Sequence, residues 1–180
     1  LRVDHILGFF RIWEIPRDTC VSGMLGHFFP CNAATKGELQ SKGLWDIERY
    51  TKPYVRWHLI RDKFGNEAEW AAKTFFNSRN TDPNDDWYDF KEEYDNEVKI
   101  DAAIEKLFKN DTQKALHYRK CLFQLIDDVL LVPDPSFPDV FHPRTEITIE
   151  HIEVTPNGNK EFVSPSWNEL PEPQKSIIKE

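Results

Sequence analysis

Four prolines fall within residues 132–144, at Pro133, Pro135, Pro138 and Pro143, and they divide the chain. Proline lacks the backbone N–H and clashes with the preceding turn, so no helix interior runs through this stretch. Downstream, residues 146–154 alternate polar and apolar with period two, the pattern of a strand with one solvated face. Pro156-Asn157-Gly158-Asn159 follows, then Glu161-Phe162-Val163. Asn-Gly between two such runs is the strongest short-range hairpin signal. A β-hairpin is expected there, and Ser166-x-x-Glu169 reads as a capping box that opens another helix.

Upstream the chain reads as mainly helical. Thr35-x-x-Glu38 is a capping box and Gly43 a stop, which predicts a short helix. A second helix is expected to start at Thr51 with Pro53 in its first turn. It carries Tyr54, Trp57, Ile60 and Phe64 on one face and ends at Gly65. A third, over 67–77, places Trp70, Ala71, Thr74 and Phe75 together. A fourth, over 96–108, carries Val98, Ala102, Ile104 and Leu107. A fifth, over 111–131, turns Ala115, Tyr118, Leu122, Leu125, Ile126 and Val129 inward. Residues 17–34 and 80–87 read as loop and turn.

Charge narrows the function classes. The net charge is −8 and the pI about 5.3, which argues against nucleic acid, whose binding rests on neutralising phosphates. It also disfavours an anionic membrane surface, and no apolar run approaches the ~18 residues of a spanning helix. A neutral polysaccharide is indifferent to this charge. Thirteen Phe, six Trp and five Tyr are many for a chain that is 30% charged. Such an excess fits either a core or carbohydrate contact. Cys20, Cys31 and Cys121 form no disulfide framework, and reduced cytosolic thiols are the simplest reading.

Several constellations are weak. Asp82-x-Asn84-x-Asp86 with Glu93 follows a calcium-loop spacing. Trp87 stands where that loop needs Gly, and Pro83 lies inside it, so a solvated acidic turn is expected. Cys20, His27 and Cys31 lack a Cys-x-x-Cys pair and a fourth ligand, which leaves them as unpaired structural residues. Trp13, Trp45 and Trp57 read as core, and Glu14 as structural. No metal site, phosphate loop or nucleophilic Ser or Cys motif is expected.

Arg2-Val3-Asp4-His5 carries the chemistry. In a strand, residues i and i+2 share a face, so Arg2 and Asp4 emerge together. The guanidinium favours the charged form of Asp4, and an ionised carboxylate so held is what a glycosidic nucleophile needs. On the residues alone, an ordinary structural ion pair is the competing reading.

Arg2-Val3-Asp4-His5, followed by Ile6-Leu7-Gly8-Phe9-Phe10-Arg11-Ile12-Trp13-Glu14-Ile15-Pro16, resembles the nucleophile motif of the amylomaltase family of 4-alpha-glucanotransferases, glycoside hydrolase family 77. The run from Ile6 to Glu14 resembles the plant-type cytosolic disproportionating enzymes more than bacterial amylomaltases. Gly43-Leu44-Trp45-Asp46 and Phe141-His142-Pro143-Arg144 look like further landmarks of that group.

The resemblance implies that Asp4 is the nucleophile, at the end of the fourth strand of a (β/α)8 barrel. Arg2 keeps Asp4 ionised and His5 belongs to the donor-sugar pocket. It implies a fragment of a TIM barrel, one barrel strand plus a mainly α-helical insertion and a β-hairpin. Residues 1–16 are the strand and motif, 17–131 the insertion, and 132–180 the proline-rich return, hairpin and helix start. A barrel needs ~250 residues, so this chain does not hold a whole one.

The family's acid/base Glu and third carboxylate stand in Glu-Asp-Leu-Gly and His-Asp contexts that do not occur here. Retaining chemistry needs a second carboxyl ~5 Å from the first, so the chain alone is expected to be inactive. The implied substrates are maltose or maltooligosaccharides as donors and glycogen or a soluble heteroglycan as acceptor. No cofactor is implied, and the location is the cytosol. The rivals are an alpha-amylase-type hydrolase and a non-catalytic glycan-binding or oligomerisation module.

Overall fold

The computed structural model describes residues 12–30, 32–79, 86–144 and 164–179. Arg2, Asp4 and His5, and the expected hairpin over 146–163, lie outside them. The chain divides into two units. One comprises Pro16–Met24 and Pro53–Asp128, and the other Leu1–Ile15, Leu25–Lys52 and Val129–Glu180. Of residues 1–16, expected as the barrel strand and motif, residues 12–16 are described.

In the first unit, two local caps set the helices. The Asn96 side chain accepts from the Lys99 N–H and opens α5, Glu97–Leu107. The Asp111 carboxylate accepts from the Lys114 N–H and opens α6, Thr112–Ile126. Each satisfies one of the donors a helix start leaves without a partner. Ile100 and Ile104 of α5 are fully buried against Tyr118, Leu122 and Leu125 of α6 in one apolar cluster. Val98 and Leu107 are exposed instead, so the buried stripe of α5 is shifted from the one expected. Each fully buried side chain of this kind contributes ~1.5–3 kcal/mol.

The same cluster takes in α3, Trp57–Phe64, and α4, Ala68–Phe75, which are joined by a 3-10 turn over Gly65–Glu67. The second expected helix starts late. Lys52, directly before Pro53, is extended with ψ 150°, as the proline ring requires of its predecessor. Val55–Arg56 then forms the strand β4. It pairs antiparallel with β6, Trp87–Phe90, which also pairs with β5, Phe76–Ser78, in the order β4-β6-β5. Trp87, expected in a turn, and Phe76 and Asn77, expected in a helix, are thus sheet residues.

The second unit is built on smaller sheets. β1, Ile12–Glu14, pairs antiparallel with β2, His27–Phe29. A second sheet has the order β3-β8-β7, from Ala34–Thr35, Val140–Pro143 and Leu131–Pro133. Helix α1, Lys36–Ser41, has the expected capping box at Thr35 and Glu38. Its end is a left-handed turn at Gly43 with φ +106°. There the Gly43 N–H donates to Gln40 O (3.0 Å) and the Leu44 N–H to Leu39 O (2.9 Å), the Schellman pattern that favours glycine.

The core of this unit joins Leu39, Leu44 and Tyr50 to Leu130, Leu131, Phe141, Trp167 and Leu170. Residues 129–131, expected to continue the fifth helix, instead leave α6 and enter β7. Helix α2, Glu48–Thr51, is tied to α7, Pro165–Asn168, by Arg49. Its guanidinium donates to Ser166 Oγ (2.7 Å) and Ser166 O (2.8 Å). The cap of α7 is Ser164, with Pro165 at the first helical position, rather than the expected Ser166. The last helix is α8, Glu172–Lys179.

Candidate functional site

Strand β1 lies at the end of the Leu1-to-Pro16 run in which the Arg2-to-His5 motif stands. It is held by close packing against β2, where Gly26 precedes His27. A Cβ on Gly26 would stand 2.5 Å from the Trp13 indole and 2.6 Å from Glu14 O. Only glycine allows that approach. The Trp13 and Phe28 rings meet edge-on at 4.8 Å. Glu14 and His27 are direct cross-strand partners, and Glu14 Oε2 lies 3.4 Å from His27 Nε2. Glu14 is therefore placed beside the His27 imidazole.

A second hairpin in the same unit supplies the rest of the cluster. Strands β7 and β8 pair Val132 with His142, and Asp134 follows β7 directly. Asp134 Oδ1 accepts from the backbone N–H groups of Ser136 (2.8 Å) and Phe137 (3.0 Å). This orients the carboxylate so that Oδ2 lies 2.7 Å from His142 Nε2. The His142 ring stacks on His27 at 4.1 Å between centroids and 23° between planes. The ligand-type atoms of His27, Asp134 and His142 all lie within 4.8 Å of one another.

The electrostatics follow from this packing. Burial, and then the neighbouring His142, push His27 below the ordinary imidazole value, while Glu14 and Asp134 pull it back in part. A neutral imidazole keeps a lone pair for a proton or a cation. The hydrogen bond to His142, then that from the Ser136 N–H, hold Asp134 below the usual carboxylate range.

The other sequence candidates fall elsewhere. Cys20 belongs to the other unit, where its sulfur accepts from the Gly23 N–H. Cys31, Asp82 and Asn84 lie outside the described residues. Asp86 receives Arg56 Nη1 at 2.7 Å, and the Arg56 guanidinium lies 4.0 Å over the Trp87 ring. His27, read as an unpaired structural residue, is instead in contact with three titratable groups. Nothing local announced this, because its partners Asp134 and His142 stand more than a hundred residues away. Trp45, read as core, is 71% exposed, since its neighbour Leu44 fills the core position.

Nearly the whole chain is related by sequence to a 4-alpha-glucanotransferase. The relative is the 4-alpha-glucanotransferase DPE2 of rice (Oryza sativa subsp. japonica), 36% identical over 184 aligned residues. The match covers 99% of this chain and 17% of the relative, so the chain spans about a sixth of the rice protein's length. No family model matches the sequence, and no solved structure matches it. Among the described residues no helix is long and apolar enough to cross a membrane.

Proposed function

We propose that this chain is part of a cytosolic 4-alpha-glucanotransferase of glycoside hydrolase family 77 that works by retaining double displacement, with Asp4 as nucleophile. The observation that carries the reading is the relationship to the rice 4-alpha-glucanotransferase along 99% of the chain. The motif Arg2-Val3-Asp4-His5 supplies a carboxylate with a cation beside it, which suits the chemistry.

A carboxylate oxygen of Asp4 attacks the anomeric carbon of an alpha-1,4-linked glucan, and the bond to the leaving sugar oxygen breaks. An acid/base Glu, in sequence outside these 180 residues, protonates that oxygen. The same Glu then deprotonates the 4-hydroxyl of an acceptor sugar, which attacks the anomeric carbon and releases Asp4. Two inversions leave the alpha configuration unchanged. Arg2 is a positioning residue that keeps Asp4 ionised, and His5 contacts the donor sugar. The donor is maltose or a maltooligosaccharide, and the acceptor is glycogen or a soluble heteroglycan. The barrel to which residues 1–16 contribute a strand belongs to the same proposal. In it the mainly helical residues 17–131 are an insertion at the C-terminal face, where barrels vary their function.

Bond counting tests the class. The full-length protein is given maltose with and without glycogen, and glucose and total reducing ends are followed together. A transferase releases glucose with no net gain of reducing ends. A net gain of reducing ends in both conditions would replace this reading with an alpha-amylase-type hydrolase.

A further inference from the structure

We propose that His27, His142 and Asp134 form a binding site for one divalent first-row metal ion, with zinc the best fit and Glu14, which lies against His27, the nearest side chain for a fourth position. Two imidazole nitrogens and a carboxylate oxygen are a donor set such an ion takes. Bonds of ~2.0–2.1 Å in a tetrahedron place the donors roughly 3.3 Å apart. The edge from Glu14 Oε2 to His27 Nε2 is already 3.4 Å. The ligand-type atoms of His27, Asp134 and His142 lie within 4.8 Å of one another, and the stacked imidazoles turn about their side-chain bonds to aim their lone pairs at one ion. The contact from His142 Nε2 to Asp134 Oδ2, 2.7 Å, widens when both atoms turn to the ion.

The supporting shell is in place. Both backbone donors on Asp134 Oδ1 act on the oxygen that faces away from the site, which leaves Oδ2 for the ion. The imidazoles are largely buried, at 10% and 7% side-chain exposure, whereas Glu14 is 46% exposed and marks the solvent side. The ion would fasten the β1–β2 hairpin to the β7–β8 hairpin, two elements more than a hundred residues apart in sequence. The site rests on the geometry alone and does not depend on the transferase reading.

The test is made on the full-length protein stripped with a chelator. Zinc chloride is titrated in by calorimetry, and cobalt(II) is added separately as a spectroscopic probe. The expected result is one zinc ion per chain and the visible bands of four-coordinate cobalt. His27→Gln and His142→Gln are expected each to weaken zinc by about tenfold or more. The exposed Glu14→Gln, which leaves the core untouched, is expected to weaken it by a smaller factor, with the far-ultraviolet circular dichroism unchanged. No heat of zinc binding by the wild type would overturn the proposal. So would undiminished zinc affinity in the folded His27→Gln/His142→Gln double variant, which would leave an ordinary stacked imidazole pair with an acid partner.

Discussion

Glu97 is the most constrained side chain of the helical unit: a fully buried carboxylate at the first position of α5. Its Oε2 accepts from the Ser22 backbone N–H at 2.7 Å and from the Val21 N–H. Burial pushes its pKa up, but hydrogen bonds from Ser22, Val21 and Cys20 outweigh burial and hold it below the ordinary value. A group depressed in the fold stabilises it above the unfolded-state value of ~4.3, and that contribution is lost as pH falls through the folded value. Glu97→Gln is therefore expected to cost about 2 kcal/mol at neutral pH, the scale of hydrogen bonds to a charged group. Denaturant unfolding from neutral to acidic pH should show the gap to wild type closing as the pH drops. Trp45 gives the opposite case. It is 71% exposed, and Trp45→Ala is expected to change stability by less than ~0.5 kcal/mol.

Three helix starts were legible because their signals are local, whereas those expected at Thr51 and Ser166 fell elsewhere. Thr35, Asn96 and Asp111 each cap through a contact three residues along, and all three caps are present. Gly43→Ala is expected to cost about 1 kcal/mol, because alanine resists the φ of +106° there. A melting curve measures it, and an unchanged midpoint would mean the turn had rearranged. Thr35→Ala, which removes the cap of α1, is expected to cost ~1 kcal/mol. The short strands were not legible. β4, β5 and β6 exist because Val55, Phe76 and Tyr88 find partners across the sheet, and pairing of that kind takes Val55 and Arg56 out of the helix, which begins only at Trp57. Similarly, residues 129–131 follow helical spacing from Leu125, yet Leu131 pairs with Pro143 in β7 and β8.

At the scale of the molecule, each of the two units has its own apolar cluster. Leu122 lies in one and Leu44 in the other, both fully buried. Leu122→Ala and Leu44→Ala are each expected to cost about 2–5 kcal/mol. Without shared partners, their effects should add to within ~0.5 kcal/mol in a double-mutant cycle. A larger coupling would show that the clusters act as one. The Gly43-to-Asp46 and Phe141-to-Arg144 landmarks that stood out in the sequence belong to one unit, and Leu44 and Phe141 share its core. Part of what the resemblance rested on is thus packing. The imidazole–carboxylate cluster escaped the sequence because only the fold brings His27 to Asp134 and His142.

If Asp4 is the nucleophile of the proposed glucan transfer, glucose release depends on its carboxylate. Wild-type full-length protein and its Asp4→Asn variant, both shown to be folded, are incubated with maltose and glycogen, and free glucose is followed over time. Steady glucose release by the wild type, with a loss of at least about a thousandfold in the variant, is the expected result, since the amide cannot form the covalent glycosyl intermediate. Equal rates in the two proteins would remove Asp4 from the chemistry and contradict the account.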